Sequence, residues 1–396
     1  MGNQVKRRKV FYIPGFDPFP PRRYRELYRT ESKLQADISG YEISQGSLDL
    51  DGFGWSVEAR IDGAYTQSEI EVLVWADIVK KSMSNSLLGT YLNMIKTAYI
   101  YISSGVLWDL FKLRKGPVIA ALYPVGFLLG QLVIAILIAW GLGRLLGVVH
   151  PMASILGIVA IWPVLAWFRK MDGKIFAYYL MQDYAHSAQH KGAYPTDLKV
   201  RLAEFGDKIT SALSKGYDEI LVVGHSSGAH MAVSVLAQLD RDGAFEGQET
   251  EVNLLSLGQV VPMVAFLPEA RALRQDLQLL SQSASVTWVD VTAPGDGCAF
   301  ALCDPVSVCG VATPDRTGPL VISTCFSQTL KPETWAKLKR RYFRLHFQYL
   351  CAFDNPGSYD YFQITAGPLT LRDRFQGRQP SKSRIDYPVA RHRSLP

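Results

Sequence analysis

The chain has 396 residues and a net charge of +6, with 48% hydrophobic and only 20% charged residues. That length fits two average domains or one large domain with an insertion. The basic residues gather at both ends and beside apolar runs, which argues against a nucleic-acid-binding face and favours contact with a membrane surface.

The N-terminal part, residues 1–81, is predicted to be the first portion of a folded domain. Its Pro-Gly turn after a short β-branched and aromatic run is typical of a strand that ends at a sheet edge. We predict a basic arm over residues 1–9, a strand over Val10–Ile13 and a helix over 22–37. Residues 41–75 are predicted to form strands and turns, with Glu71–Trp75 as the best strand among them.

Two uncharged apolar runs follow within an insertion over residues 82–169. The first, 116–143, has 28 residues and the second, 152–168, has 17, against the roughly 20 residues needed to cross a bilayer. Soluble core helices rarely lack charge for so long, and Gly and Pro inside such runs are tolerated in membrane helices. The sequence therefore predicts a transmembrane hairpin, with the lipid bilayer as a partner.

The basic residues that flank the two runs predict the orientation of this hairpin. Three precede the first run and three follow the second, while the connecting loop carries only Arg144. By the positive-inside rule, we expect both parts of the globular domain to lie in the cytoplasm. The flanking residues are Lys112, Arg114, Lys115, Arg169, Lys170 and Lys174.

Residues 84–111 precede the hairpin and carry apolar side chains near helical spacing. Two interpretations remain open, a helix that lies along the lipid headgroups and a cap helix that packs on the enzyme core. The apolar residues concerned are Leu88, Leu92, Ile95, Tyr99, Ile102 and Leu107.

Residues 170–371 alternate between helical and strand patterns. Such alternation predicts an α/β fold with a mainly parallel sheet and helices on both faces. Residues 372–396 are polar, basic and proline-containing, and we expect a flexible tail. The predicted helices and strands are 175–190, 197–214, Glu219–His225, Ala229–Leu239, Val252–Leu257, 268–281 and Val286–Val291.

The most informative segment is Glu219–His230, where an apolar strand runs into the sequence Gly-His-Ser-Ser-Gly and then into small residues. A strand, a sharp turn and a helix raise the hydroxyl of Ser226 above the sheet edge, and the helix N-terminus favours negative charge beside it. This segment resembles the nucleophile elbow of the α/β-hydrolase superfamily. The resemblance covers residues 1–81 and 170–371 loosely, and it is specific only at the elbow and the early Pro-Gly turn.

The resemblance implies the chain order Ser, then Asp or Glu, then His. Only His346 and His392 follow both the serine and the strand expected to carry the acid, and His392 lies in the predicted tail. His346 is therefore the predicted general base. Asp296, in a Pro-Gly-Asp-Gly turn, is the favoured acid, with Asp304 and Asp290 as the alternatives.

An oxyanion hole would need two backbone donors. The resemblance implies one at Ser227, the residue after the nucleophile, and one at Phe16, in the loop after the first strand. The opening residues Phe11–Pro18 also resemble those of bacterial hydrolases with an inserted membrane hairpin.

The five cysteines match no common zinc spacing, and their odd number without a signal peptide argues against a secreted disulfide scaffold. We predict buried, reduced thiols, no metal and no cofactor.

Together these features predict a membrane-anchored serine hydrolase that cleaves a carboxylic ester or thioester, of a small molecule or a lipid. The alternative is a non-catalytic, membrane-tethered α/β-hydrolase-fold module that binds a partner or lipid, because a fold alone does not fix function. A transporter is disfavoured because the sequence predicts only two spans, and neither span contains a charged residue. No nucleic-acid partner is expected, and the sequence predicts no oligomeric state.

Overall fold

A computed structural model describes residues 4–83 and 86–396 of the chain. Eight strands form one sheet in the order β2-β3-β4-β1-β5-β6-β7-β8. All pairs from β4 to β8 are parallel, whereas β3 is antiparallel to β2 and β4. The predicted α/β class with a mainly parallel sheet is confirmed. The strands are β1 Arg7–Ile13, β2 Glu42–Gly46, β3 Phe53–Ile61, β4 Ala64–Val72, β5 Glu219–His225, β6 Glu251–Leu257, β7 Val286–Thr292 and β8 Leu320–Ser323.

The helices before β5 include the two long apolar ones. They are α1 Arg22–Ser39, α2 Ala76–Ser82, α3 Leu87–Ser103, α4 Val106–Phe111, α5 Lys115–Gly147, a 3-10 helix Pro151–Ala160, α6 Ile161–Lys170, α7 Asp172–Ile175, α8 Ala177–Ala188 and α9 Thr196–Leu213.

The helices after β5 are mostly short, apart from α10 and α12. They are α10 Gly228–Arg241, α11 Val261–Ala265, α12 Arg271–Gln282, α13 Pro305–Val308, α14 Phe326–Thr329, α15 Pro332–Leu338, α16 Tyr342–His346, a 3-10 helix Gln348–Leu350, α17 Tyr361–Ala366 and α18 Leu371–Arg374.

The sheet separates two apolar cores, as the continuous apolar run of β5 predicts. Side chains alternate across a strand, so Ile220 and Val222 pack with α9, α10 and α12, while Leu221 and Val223 pack on the opposite layer. Every residue of β5 is buried, which is the pattern of a central parallel strand covered on both faces.

The predicted basic arm at residues 1–9 is wrong for its described part. Residues 1–3 lie outside the described residues, and Arg7–Ile13 is strand β1. The Arg8 side chain is fully buried, with its Nε 2.5 Å from Glu219 Oε2. Glu219 Oε1 also accepts hydrogen bonds from Asn253 Nδ2 and Leu371 N, at 2.7 and 2.8 Å. The buried guanidinium is tolerated because a carboxylate and backbone carbonyls satisfy it.

Replacing Glu219 with glutamine should therefore destabilise the fold by about 3–5 kcal/mol, because it leaves a buried guanidinium without its counter-charge. Urea unfolding of the detergent-solubilised protein, followed by circular dichroism, measures this effect. The exposed Glu246 offers a matched Glu246→Gln control, which should change the free energy of unfolding by less than about 0.5 kcal/mol. Equal midpoints for the two variants would contradict the structural role of the buried pair.

The predicted strand Glu71–Trp75 is also misplaced, because β4 ends at Val72. The chain turns there, and Trp75 instead precedes α2. Its indole Nε1 donates a hydrogen bond of 2.9 Å to the Pro14 carbonyl oxygen, so the tryptophan holds the turn after β1.

The insertion contains two helices that are long and apolar enough to cross a membrane, Lys115–Gly147 and Pro151–Lys170. The second begins as 3-10 and continues as α6. The two lie against each other through small residues, since a Cβ at Gly157 would stand 2.3 Å from the Ala139 carbonyl oxygen. Such close approach is typical of paired membrane helices.

The predicted apolar segment 84–111 forms α3 and α4, apart from its first two residues, which lie outside the described residues. The two faces of α3 differ in how far their side chains are exposed. The face packed on the protein includes Thr90 and Thr97, whereas Leu88 and Tyr99 on the other face are 66% and 69% exposed. The predicted stripe is thus largely the outer face of α3, and only Leu107 packs against the core.

Residues 372–396, expected to be a flexible tail, lie against the domain. Ala390 is fully buried, and the guanidinium of Arg391 pairs with the carboxylate of Asp109 at 2.8 Å. The pairing partners are nearly three hundred residues apart in the chain, so local composition carries no signal for them.

The strand order places a crevice between β1 and β5. From β1 the chain continues to one side of the sheet, and from β5 onward it continues to the other. Ligands bind preferentially at such switch points, outside the carboxyl ends of the strands. The loops after Ile13, His225 and Thr292 all leave that edge.

Candidate active site at the carboxyl edge of the sheet

Ser226 lies on the turn between β5 and α10, with a φ of 57°. This left-handed conformation is costly for a residue with a side chain and is typical of strained functional turns. The turn is tight, because a Cβ at Gly228 would lie 2.0 Å from the Ile13 carbonyl oxygen. The glycine thus allows α10 to begin directly beside the end of β1.

The loop after β1 closes over the same turn. A Cβ at Gly15 would lie 2.9 Å from Ser226 Cβ, so only glycine permits this approach without displacement. The next residue, Phe16, is held through its carbonyl oxygen, which accepts a hydrogen bond from the Tyr179 hydroxyl.

Phe16 and Ser227, the predicted oxyanion donors, both line the cavity that contains Ser226. Within residues 4–83 and 86–396, neither backbone N–H donates a hydrogen bond. Ser227 also precedes the 14-residue helix α10, whose positive N-terminal end favours an anion nearby. Two free donors beside a hydroxyl can stabilise a developing oxyanion.

His346 and Asp296 form a close pair. His346 ends the short helix α16, and its Nδ1 lies 2.7 Å from Asp296 Oδ2. Tyr349 donates to the same carboxylate oxygen at 3.0 Å, and the Cys298 N–H donates to Oδ1 at 2.9 Å. Burial opposes ionisation of Asp296, but the charge and hydrogen bond of His346, with the other donors, hold its carboxyl pKa below the usual value. An ionised carboxylate of this kind fixes the imidazole tautomer with Nε2 unprotonated.

His225, directly before the candidate nucleophile, positions His346. Its ring Nε2 donates a hydrogen bond of 3.0 Å to the His346 carbonyl oxygen. Burial, together with repulsion from His346, lowers the pKa of His225 to about 3. The His225 ring therefore remains neutral at physiological pH and serves as a fixed donor.

The rival candidates have other partners. Asp304 caps α13 and pairs with Arg316 at 2.8 Å. Asp290 lies within β7 and accepts a hydrogen bond from the Ser256 hydroxyl at 2.6 Å. His392 contacts the Ser104 carbonyl oxygen at 3.1 Å. Of the residues considered from the sequence, Asp296 is the acid adjacent to His346.

Ser226 and His346 line one cavity of about 80 Å³. Within the described part of the chain, no hydrogen bond joins the two side chains, and His346 Nε2 has no partner. Asp183 lines the same cavity, and desolvation raises the pKa of its carboxyl to about 7, against the opposing influence of His346. A ligand in this cavity meets a hydroxyl, an imidazole and two free N–H groups.

One group of three residues in the described ranges could offer ligands to a metal ion, namely Asp296, Cys298 and His346, with ligand atoms within 4.8 Å of one another. Desolvation by burial, reinforced by the charge of Asp296, raises the pKa of the Cys298 thiol well above its usual value. The Asp296 carboxylate already accepts three hydrogen bonds, from His346, Tyr349 and the Cys298 N–H. The chemistry of this group fits a hydrogen-bonded Asp–His pair better than a metal centre.

All five cysteines are free. Cys303, Cys309 and Cys351 are buried as predicted, whereas Cys298 and Cys325 are half-buried.

The sequence reasoning missed three residues that shape the site, Tyr349, His225 and Tyr179. Tyr349 lies three residues after His346, and His225 directly precedes Ser226, so their proximity in sequence was an available signal. Tyr179 had no such signal, because it lies in α8, 163 residues after Phe16 in the chain.

Comparisons with protein-family models, with curated proteins and with solved structures find no match for this chain. The geometry of the site is therefore the basis on which a function is assigned.

Proposed function

We propose that the protein is a membrane-anchored serine hydrolase that cleaves a carboxylic ester or thioester through an acyl-enzyme. In this proposal Ser226 is the nucleophile, His346 the general base, and Asp296 the acid that orients His346. The N–H groups of Phe16 and Ser227 form the oxyanion hole.

The observation that carries the proposal is the arrangement at the switch point of the sheet. A serine in a left-handed turn shares a cavity with an imidazole whose Nδ1 is bound to a buried carboxylate at 2.7 Å. Along the chain, the serine comes first, on the turn between β5 and α10. The acid follows in the loop after β7, and the histidine comes last, in α16. This order and the mainly parallel sheet support the further proposal that the fold is that of an α/β-hydrolase.

The proposed reaction has two halves. Ser226 Oγ bonds to the acyl carbon while its proton passes to His346 Nε2, and the carbonyl oxygen becomes an oxyanion facing the two N–H groups. The carbon–oxygen or carbon–sulfur bond then breaks, and His346 returns the proton to the leaving alcohol or thiol. Water repeats the attack on the acyl-enzyme, releases the carboxylic acid and restores Ser226.

The base of the hairpin supports placement of this site beside a bilayer. Pro117, in the first turn of α5, lines the cavity of Ser226. A Cβ at the preceding Gly116 would lie 3.2 Å from Gly297 Cα, next to Asp296. If α5 enters the membrane, the mouth of the site lies near its surface, and the basic flanks favour the cytoplasmic side.

Labelling with a fluorophosphonate probe tests the proposal. The probe reacts with activated serines, so the folded, detergent-solubilised protein should be labelled and the heat-unfolded protein should not. A short-chain ester should compete with the probe for the site. Absence of labelling on protein with native circular dichroism would contradict the proposal and favour the non-catalytic binding module.

A further inference from the structure

A second cavity, of about 130 Å³, lies beside the candidate site between α3, α4, α5 and α8. Its walls carry aliphatic or aromatic side chains apart from Thr97. Tyr184 and Met263 line both this apolar cavity and the cavity of Ser226. Along α5, Pro117 faces the site cavity, and the next residue, Val118, faces the apolar one. The two cavities are therefore neighbours that share walls.

The far end of the apolar cavity reaches the outer surface of the insertion. Its lining includes Ile102 of α3 and Leu122 of α5, which are 51% and 41% exposed. Both are continuous with larger apolar faces, the stripe of α3 described above and the outer side of α5. Apolar side chains thus extend from the surface that would contact lipid tails to Tyr184 and Met263, which form the wall shared with the cavity of Ser226.

The size of this cavity suits part of a hydrocarbon chain. An apolar cavity of about 150 Å³ binds benzene, so this cavity accommodates a segment of roughly six carbons. For a substrate that is dissolved in water, each methylene buried in the cavity raises affinity about fourfold. A longer chain would continue past Ile102 and Leu122 into the bilayer, which removes the cost of extracting the whole substrate from the membrane.

We infer that the apolar cavity is an acyl-chain subsite, and that the substrate is a long-chain ester or thioester that enters laterally from the bilayer between α3 and α5. This inference rests on the proposed hydrolase function. A water-soluble short-chain ester would use only the cavity of Ser226.

Chain-length selectivity tests the subsite. Ala121 lines the apolar cavity, so Ala121→Phe should fill it and lower kcat/KM for a dodecanoyl thioester by about tenfold or more. Hydrolysis of the butyryl thioester should change by less than about twofold, which also reports that the variant is folded. Ala120 is on the same turn of α5 but does not line the cavity, so Ala120→Phe is the matched control and should retain both activities. Equal effects of Ala121→Phe on the two substrates would overturn the subsite.

A binding readout separates this inference from the hydrolase proposal. Ser226→Ala protein in phosphatidylcholine vesicles is irradiated with a long-chain ester that carries a diazirine on its acyl chain. Crosslinks should map to residues that line the apolar cavity, such as Thr97 of α3 and Val118 of α5, and should disappear there in Ser226→Ala/Ala121→Phe. Crosslinks at these cavity-lining residues without any hydrolysis by the wild type would support the subsite and contradict the hydrolase. Hydrolysis without such crosslinks would overturn the subsite and leave the hydrolase standing.

Discussion

Ser226→Ala should lower ester hydrolysis by about 10³- to 10⁶-fold in kcat, with little change in stability. The substitution removes the oxygen that forms the acyl-enzyme, and it takes one atom from a half-buried side chain that makes no hydrogen bond within the described residues. Steady-state hydrolysis of a butyryl ester by the detergent-solubilised protein measures the effect, after background hydrolysis in detergent alone is subtracted.

The matched control is Ser211→Ala, at an exposed position of α9 on the surface of the domain. It should leave kcat and KM within about twofold of the wild type. If Ser226→Ala retained more than a tenth of the wild-type kcat while Ser211→Ala behaved as expected, another group would be the nucleophile and the proposed mechanism would be wrong.

His346→Ala should lower kcat by a similar factor, because a serine hydroxyl is a weak nucleophile without an adjacent base. The residues of such a site act as a unit, so the double variant Ser226→Ala/His346→Ala should be no slower than the more impaired single variant.

His190→Ala provides the histidine control, since His190 is exposed in the turn after α8. Its kcat should remain near that of the wild type. Multiplicative losses in the double variant would indicate that Ser226 and His346 act independently, which contradicts their proposed roles as nucleophile and base.

Local sequence signals predicted the elements that carry the site. The apolar run of β5 and the small residues of α10 predict a strand and a helix, and the glycines around Ser226 predict a tight turn. The turn that carries Asp296 follows a strand, and the structure places its carboxylate against His346. The role of Asp296 as the acid of the site stays a prediction. The predictions of the strand, the tight turn and the helix are confirmed, because each depends on residues within about ten positions of one another.

Long-range pairing was the part that the sequence did not reveal. The composition of Arg8 and its neighbours indicates a solvated arm, yet Glu219 neutralises that guanidinium from the adjacent strand. In the same way, helical periodicity identified the apolar stripe of α3 but not what lies against it. The structure puts Thr90 and Thr97 inside, where Thr90 receives a hydrogen bond from Gln182 at 3.2 Å.

An experimental structure of the fluorophosphonate adduct tests the central claim most directly. The account predicts phosphorus bonded to Ser226 Oγ, with a phosphonyl oxygen about 2.7–3.1 Å from the N–H groups of both Phe16 and Ser227. It also predicts that the His346 ring remains bound to Asp296 through Nδ1. An adduct on another residue, or a phosphonyl oxygen turned away from both N–H groups, would contradict the account.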